Sequence, residues 1–319
     1  MIILLIYAIF NRHLEEFNLY QLNKIIFMKP SNTCKLLKNV SDLNKYNNLD
    51  KELRNIKTDS ISQFYCDNLI EFSNQDKMLL EWMVNLTKEK TPPKLRFIYD
   101  NIKFGKYIKN IEYGYPHTNK DVIFFDERYI NSILPYYNKF RVLDVINDIG
   151  SIVIHECAHI LQRKYPDLFN DLYTKYWNFI KTDKIYNSKK YYAMSRYNPD
   201  GTDLNWVYHH NNNNIWLLCI YRQNARNISE VEYIGIYLNK KDNQYYVPKY
   251  PKILPILQIP EFYNFFENIH GNHYHPNELC AEIMSIYYLR QMGISHKKFK
   301  SKCYDKFIEW FSNTHIKLI

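Results

Sequence analysis

At 319 residues, with 46% hydrophobic and 24% charged positions, the chain is long enough for a large core and has the balance of a globular protein. Only 7 glycines exclude a collagen-like or loop-built architecture. The net charge of +9 raises the question of nucleic acid, but the lysines are scattered. Their densest clusters (Lys189, Lys190; Lys297, Lys298, Lys300, Lys302) are short and carry no RNA- or DNA-binding signature, so they read as solvated surface.

In chain order, the opening MIILLIYAIF is apolar over a stretch too short to span a bilayer. It has neither a basic leading segment nor a clean small-residue cleavage site, so a signal or anchor within residues 1–27 is weakly supported, and a start at Met28 is the alternative. Residues 31–90 are polar and helix-prone, with Ile61, Phe64, Leu69, Leu79, Leu80 and Met83 near helical spacing. TPPK at 91–94 ends that run, because proline cannot continue a helix and restricts the residue before it. A boundary is placed there, between a helical region 1–94 of unassigned role and a domain over 95–319.

LRFIY at 95–99 and DVIFF at 121–125 read as strands. RVLDVINDIGSIVIHECAHILQRKY reads as one long helix, defined by Leu143, Ile146, Ile149, Val153 and Ile160, and PDLFNDLYTKYWNFI as another opened by its proline. Residues 185–260 form a β-rich insertion, with a turn at NPDG (198–201) and strands at IWLLCIYR and VEYIGIYL. HPNELCAEIMSIYYLRQMG is a helix from Pro276 to Gly293, and a short helix follows near 303–312. The whole is an α+β chain.

Six cysteines (Cys34, Cys66, Cys157, Cys219, Cys280, Cys303) are too dispersed for a small disulfide scaffold or a CxxC zinc site. All six are read as reduced thiols, which favours an intracellular setting.

HECAH, residues 155–159, carries the chemistry. On a helix, positions i and i+4 share a face, so His155 and His159 can present two imidazoles to one ion. Glu156 is rotated by about 100°, beside such an ion without binding it. A carboxylate there can take a proton from a water whose pKa zinc has lowered to about 7. The flanking Ile152, Val153, Ile154, Ile160 and Leu161 make the helix a buried one, where two imidazoles and a carboxylate are costly unless something satisfies them.

A third ligand has to come from elsewhere. HPNELCAE offers Glu278 and Glu282 on one helical face, with Ala281 permitting close approach. With HECAH, this ELCAE resembles the zincin metallopeptidases, specifically the E-x-x-A-E of lethal-factor-like gluzincins; the likeness covers residues 95–292 at most. It implies a zincin-like catalytic domain binding Zn2+ through His155, His159 and Glu278, with Glu156 as general base and Glu282 as an acceptor orienting a histidine N–H. It also implies a small sheet whose edge strand, supplied by DVIFF, pairs with an extended peptide.

Two departures stand. The gap from His159 to Glu278 is 119 positions, longer than in that family. The tyrosine expected seven residues before the glutamate falls on Gly271, leaving Tyr274, His273 or His275 to donate to the oxyanion, and Tyr274 is the expected donor. GTDLNWVY at 201–208 is similar to the aspzincin pattern but puts Asn205 at the ligand position, with Asp203 two residues off; His209 and His210 read as exposed. The expected function is zinc-dependent peptide-bond hydrolysis on a peptide or protein substrate, without a transmembrane span. The alternative is an inactive zincin-fold binding protein. Substrate specificity and oligomeric state are not legible in the sequence.

Overall fold

A computed structural model describes residues 25–58, 60–108, 111–201, 203–267, 274–294 and 301–314; the MIILLIYAIF segment, His273 and Lys297, Lys298 and Lys300 lie outside them. The chain is mixed α and β, 50% helical and 19% strand, in keeping with the α+β expectation. Among the described residues no helix is long and apolar enough to cross a membrane.

The N-terminal part comprises β1 (Ile26–Phe27), α1 (Pro30–Leu37), α2 (Asn48–Leu53), α3 (Ile61–Cys66), β2 (Leu69–Ile70) and α4 (Asn74–Lys90). Capping boxes start both α2 and α4: Asn47 and Asp50 bond reciprocally, as do Ser73 and Asp76. Then come β3 (Lys103–Tyr107), β4 (His117–Asn119) and β5 (Val122–Asp126). The first sheet runs β1-β3-β5-β4, with β2 also on β3. Residues before position 94 therefore add strands to this sheet, and Leu79, Leu80 and Met83 share one apolar cluster with Val153, Ile154, Leu279 and Ile283.

Three expectations change here. LRFIY is a 3-10 turn within Pro93–Tyr99, because the proline at its start holds a helical φ. VIFF of DVIFF does lie in a strand, β5, but an interior one whose residues Val122–Asp126 are all buried between β3 and β4. The edge next to it is β4, and there the Thr118 N–H donates to Asp200 (3.0 Å) while its carbonyl accepts from Arg163 (3.2 Å), so the outward main-chain groups of Thr118 are already taken. The cysteines are not all thiols either: Cys34 on α1 and Cys66 on α3 form a disulfide, which removes the reduced-cysteine argument for an intracellular setting. Cys157, Cys219, Cys280 and Cys303 are buried free thiols.

Val142–Val145 and a π turn at Ile146–Gly150 lead into α5 (Ser151–Lys164). The extra residue in the π turn shifts the helical phase, so Leu143 points to solvent while Ile146, Ile149 and Val153 are buried. Gly150 lets α4 come close: a Cβ there would meet Thr87 Oγ1 at 2.6 Å. Pro166 opens a second helix, as expected, but it gives way after a π turn to β6 (Phe179–Lys181). β7 (Trp206–His210), β8 (Asn213–Tyr221), β9 (Val231–Tyr237) and β10 (Ile253–Pro255) complete an antiparallel sheet in the order β10-β9-β8-β7-β6. The strands read at IWLLCIYR and VEYIGIYL are β8 and β9. Last come α6 (Pro276–Gln291) and α7 (Lys302–Thr314).

Candidate metal centre

α5 and α6 lie antiparallel and are pinned at both ends. Ser285 Oγ donates to the Ser151 carbonyl (2.6 Å), and Gln162 Nε2 to the Asn277 carbonyl (2.9 Å). Ala158 and Ala281, both fully buried, leave room for the helices to approach. That register sets the HECAH turn opposite ELCAE.

The result is a compact cluster. His155 Nε2 lies 3.1 Å from His159 Nε2 and 3.5 Å from one Glu278 oxygen, and His159 Nε2 lies 3.6 Å from the other. Residues His155, His159 and Glu278 form a group that could hold a metal ion, as do Glu156, His159 and Asp200 beside it. Glu282 is 3.8 Å from His155 Nδ1, on the far side of the ring from the cluster.

Several partners orient these groups. His159 Nδ1 sits 2.8 Å from Gln162 Oε1; an amide oxygen only accepts, so the proton is on Nδ1 and the Nε2 lone pair faces the cluster. Asn198 Nδ2 donates to Glu278 Oε1 at 2.7 Å. His275 caps the start of α6, accepting from the Asn277 N–H (3.1 Å) while donating to the Asp203 carbonyl (2.7 Å). Gly201 allows this, since a Cβ there would lie 3.1 Å from the His275 ring. Burial pulls the His275 imidazole down, consistent with a neutral cap.

Electrostatically the cluster draws positive charge. Burial alone would depress His155, but Glu278, Glu156 and Glu282 carry it up to about 9, whereas burial lowers His159. Burial and the neighbouring Asp200 push Glu156 well above the usual carboxylate range, and its Oε2 is buried without a hydrogen-bond partner. Asp200 is held by Thr118 and by Arg163 Nη2 at 3.0 Å.

The N-terminal region reaches this centre through α2 and the residue following it. Asp50 Oδ1 accepts from the Tyr197 N–H (2.9 Å), and Arg54 Nη2 donates to the Tyr197 carbonyl (3.0 Å). The residue before Asn198 is thus gripped at both main-chain groups. Arg54 also binds Glu112 through Nε (3.0 Å) and Nη2 (2.7 Å), and Tyr46 and Tyr65 donate to the same carboxylate.

The sequence-derived residues fare differently. His155, His159 and Glu278 are brought together, with Glu156 and Glu282 alongside. Tyr274 is buried, stacked on Tyr233 with ring centres 5.8 Å apart, and does not line the cavity in front of the centre. Tyr233 does line it. Asp203 bonds Asn205 and Lys181, Asn205 bonds Tyr192 and the Asp183 carbonyl, and His209 bonds Asn214, so the described residues of the 201–210 stretch supply no member of the cluster.

Gln162, Asn198, Asp200 and Arg163 were missed by sequence reasoning. Only Gln162 had a signal, lying three residues after His159 on the same helical face. The cavity measures about 580 Å³ and is walled by α5, α6, β9 and the 112–117 and 196–200 segments. Compared with known proteins, the chain matches no family model, no curated protein and no solved structure.

Proposed function

We propose that this protein is a zinc-dependent peptidase of gluzincin type, with His155, His159 and Glu278 as ligands. The observation that carries the reading is the mutual spacing of the three donors. Ligands at about 2.05 Å in a tetrahedron stand roughly 3.3 Å apart; here the two imidazole Nε2 atoms are 3.1 Å apart, the two Glu278 oxygens lie 3.5 Å from one and 3.6 Å from the other, and one donor atom from each of the three residues lies within 4.8 Å of the others. Two imidazoles and one carboxylate are a zinc donor set, and a dication would also balance the carboxylates gathered in this buried place.

Zinc held there would polarise a substrate carbonyl and lower the pKa of a coordinated water to about 7. The rest falls to the chain. Glu156, buried beside the cluster with an unpartnered oxygen, takes the proton from water and passes it to the leaving amine. Its raised pKa suits a group that must hold a proton and then release it. Gln162 and Glu282 hold the two imidazoles, and Asn198 holds the Glu278 carboxylate. The cavity, about 580 Å³, is within the size range of ligand-binding clefts and would take a short stretch of peptide. Because β4 has no free main-chain groups at Thr118, the peptide is held by the cavity walls rather than by pairing at that position. Tyr233 is better placed than Tyr274 to meet the carbonyl oxygen.

Metal analysis of purified wild type, Glu278→Ala and Glu282→Ala, each with a protease assay on an unfolded protein, tests the proposal. One zinc per chain, lost in Glu278→Ala and kept in Glu282→Ala, is the expected result. Wild-type protein that takes up no zinc and cleaves nothing would sink it.

A further inference from the structure

Arg196 lies on the wall of the same cavity, a permanent cation whose side chain meets no ion-pair partner among the described residues. Its Nε is buried and unbonded, and no carboxylate lies within ion-pair distance of its guanidinium among the described residues. Its backbone is fixed, the N–H donating to the Cys219 carbonyl of β8 at 2.9 Å. Glu112 is near enough to be felt electrostatically, but Arg54, Tyr46 and Tyr65 already occupy its carboxylate. Of the other charged groups in and around the cavity, Arg163 faces Asp200, Arg54 faces Glu112 and Glu278 faces the two histidines, while Glu156 keeps an unpartnered oxygen for the water it deprotonates. Arg196 is half-buried, and a guanidinium whose Nε is shut off from water without an anion is costly to keep unless a ligand supplies the missing charge.

Resting on the peptidase reading above, we propose that Arg196 is a specificity residue that binds a carboxylate of the substrate, either the C-terminal carboxylate or an Asp or Glu side chain near the scissile bond. Its planar fork matches a carboxylate in two-point geometry, which an ammonium group would not. The enzyme then selects acidic or C-terminal segments despite its own positive net charge.

The test uses zinc-loaded protein titrated calorimetrically with succinic acid monohydroxamate and with the neutral carboxamide of the same hydroxamate. Both chelate the metal, and only the first carries a carboxylate. Wild type should prefer the acid by roughly 10- to 100-fold. In Arg196→Gln the acid should fall to the amide's affinity, and Arg196→Lys should keep a few-fold preference. Thermal stability of Arg196→Gln should hold or rise, because no internal ion pair is lost; a structural arginine would show a fall instead. Peptide substrates assign the source: a KM raised about 10-fold or more by C-terminal amidation identifies the terminus, and the same rise on replacing Glu by Gln identifies a side chain. Equal binding of the two hydroxamates by wild type, or insensitivity to both peptide changes, overturns the inference while leaving the metal centre standing. If neither hydroxamate binds, the metal reading fails and this inference fails with it.

Discussion

Replacing Arg54 by Met should damage both the fold and the metal centre, although Arg54 touches no ligand. Its side chain is only 3% exposed and bridges Asp50 (2.9 Å) and Glu112 (2.7 Å), which are 0% and 2% exposed. Removing one partner of a buried ion pair leaves an uncompensated charge, here two carboxylates, and costs about 3–5 kcal/mol.

The acid profile provides an independent measure. Burial would raise Glu112, but Arg54 outweighs it and brings the carboxyl from 4.5 down to about 2, worth about 3 kcal/mol. Because the folded-state pKa is depressed, that stabilisation is fully present above about pH 4.5 and disappears as the pH falls through about 2. In Arg54→Met the Glu112 carboxyl is buried without its cation and its pKa moves upward. The loss of stability on acidification through this window should therefore vanish or reverse. Urea unfolding followed by tryptophan fluorescence, at about pH 7 and at several points down to about pH 2.5, reads both effects. Release of the grip on Tyr197 also loosens Asn198 and, through it, Glu278, so zinc affinity should drop by about 10-fold or more. A loss below about 1 kcal/mol at neutral pH, with an acid profile parallel to wild type, would refute this account of Arg54.

Glu156→Gln should retain zinc while hydrolysis falls by about 100-fold or more; undiminished turnover would remove Glu156 from the role of base. Gln162→Ala deprives His159 Nδ1 of its acceptor and detaches α5 from the Asn277 carbonyl, so zinc affinity measured by competition with a chelator should fall by about 10- to 100-fold. The Cys34–Cys66 disulfide closes a loop of 32 positions, and the double Cys34→Ser, Cys66→Ser variant should lose about 4 kcal/mol in chemical denaturation without change in metal content. Equal stability of wild type with and without reductant would contradict the bond's contribution.

Short-range pattern was enough for much of the centre. A helix repeats every 3.6 residues, so the four-residue spacing of His155 and His159 placed both imidazoles on one face whatever the rest of the chain did. The same rule placed Glu278 and Glu282 together on the helix opened by Pro276, and would have placed Gln162 beside His159 had the face been followed one step further. The strands at 215–222 and 231–238 were legible because β-branched and aromatic runs between polar turns have few other outcomes.

Everything that joins distant segments lay beyond such patterns. The sequence put no constraint on which face of α6 would meet α5; that was decided by the pins at Ser151–Ser285 and Gln162–Asn277 and by two buried alanines. DVIFF had a strand's composition, yet its place inside the sheet depended on β4 folding over it. Cys34 and Cys66 carried no recognisable spacing, and only the packing of α1 on α3 made them neighbours. Asn198 reaches Glu278 across 80 positions, and Arg54 reaches the Tyr197 carbonyl across 143. Such contacts are chosen by the burial and charge balance of the whole core, which no window of neighbouring residues contains; local periodicity set what each helix could offer, and tertiary packing set what it met.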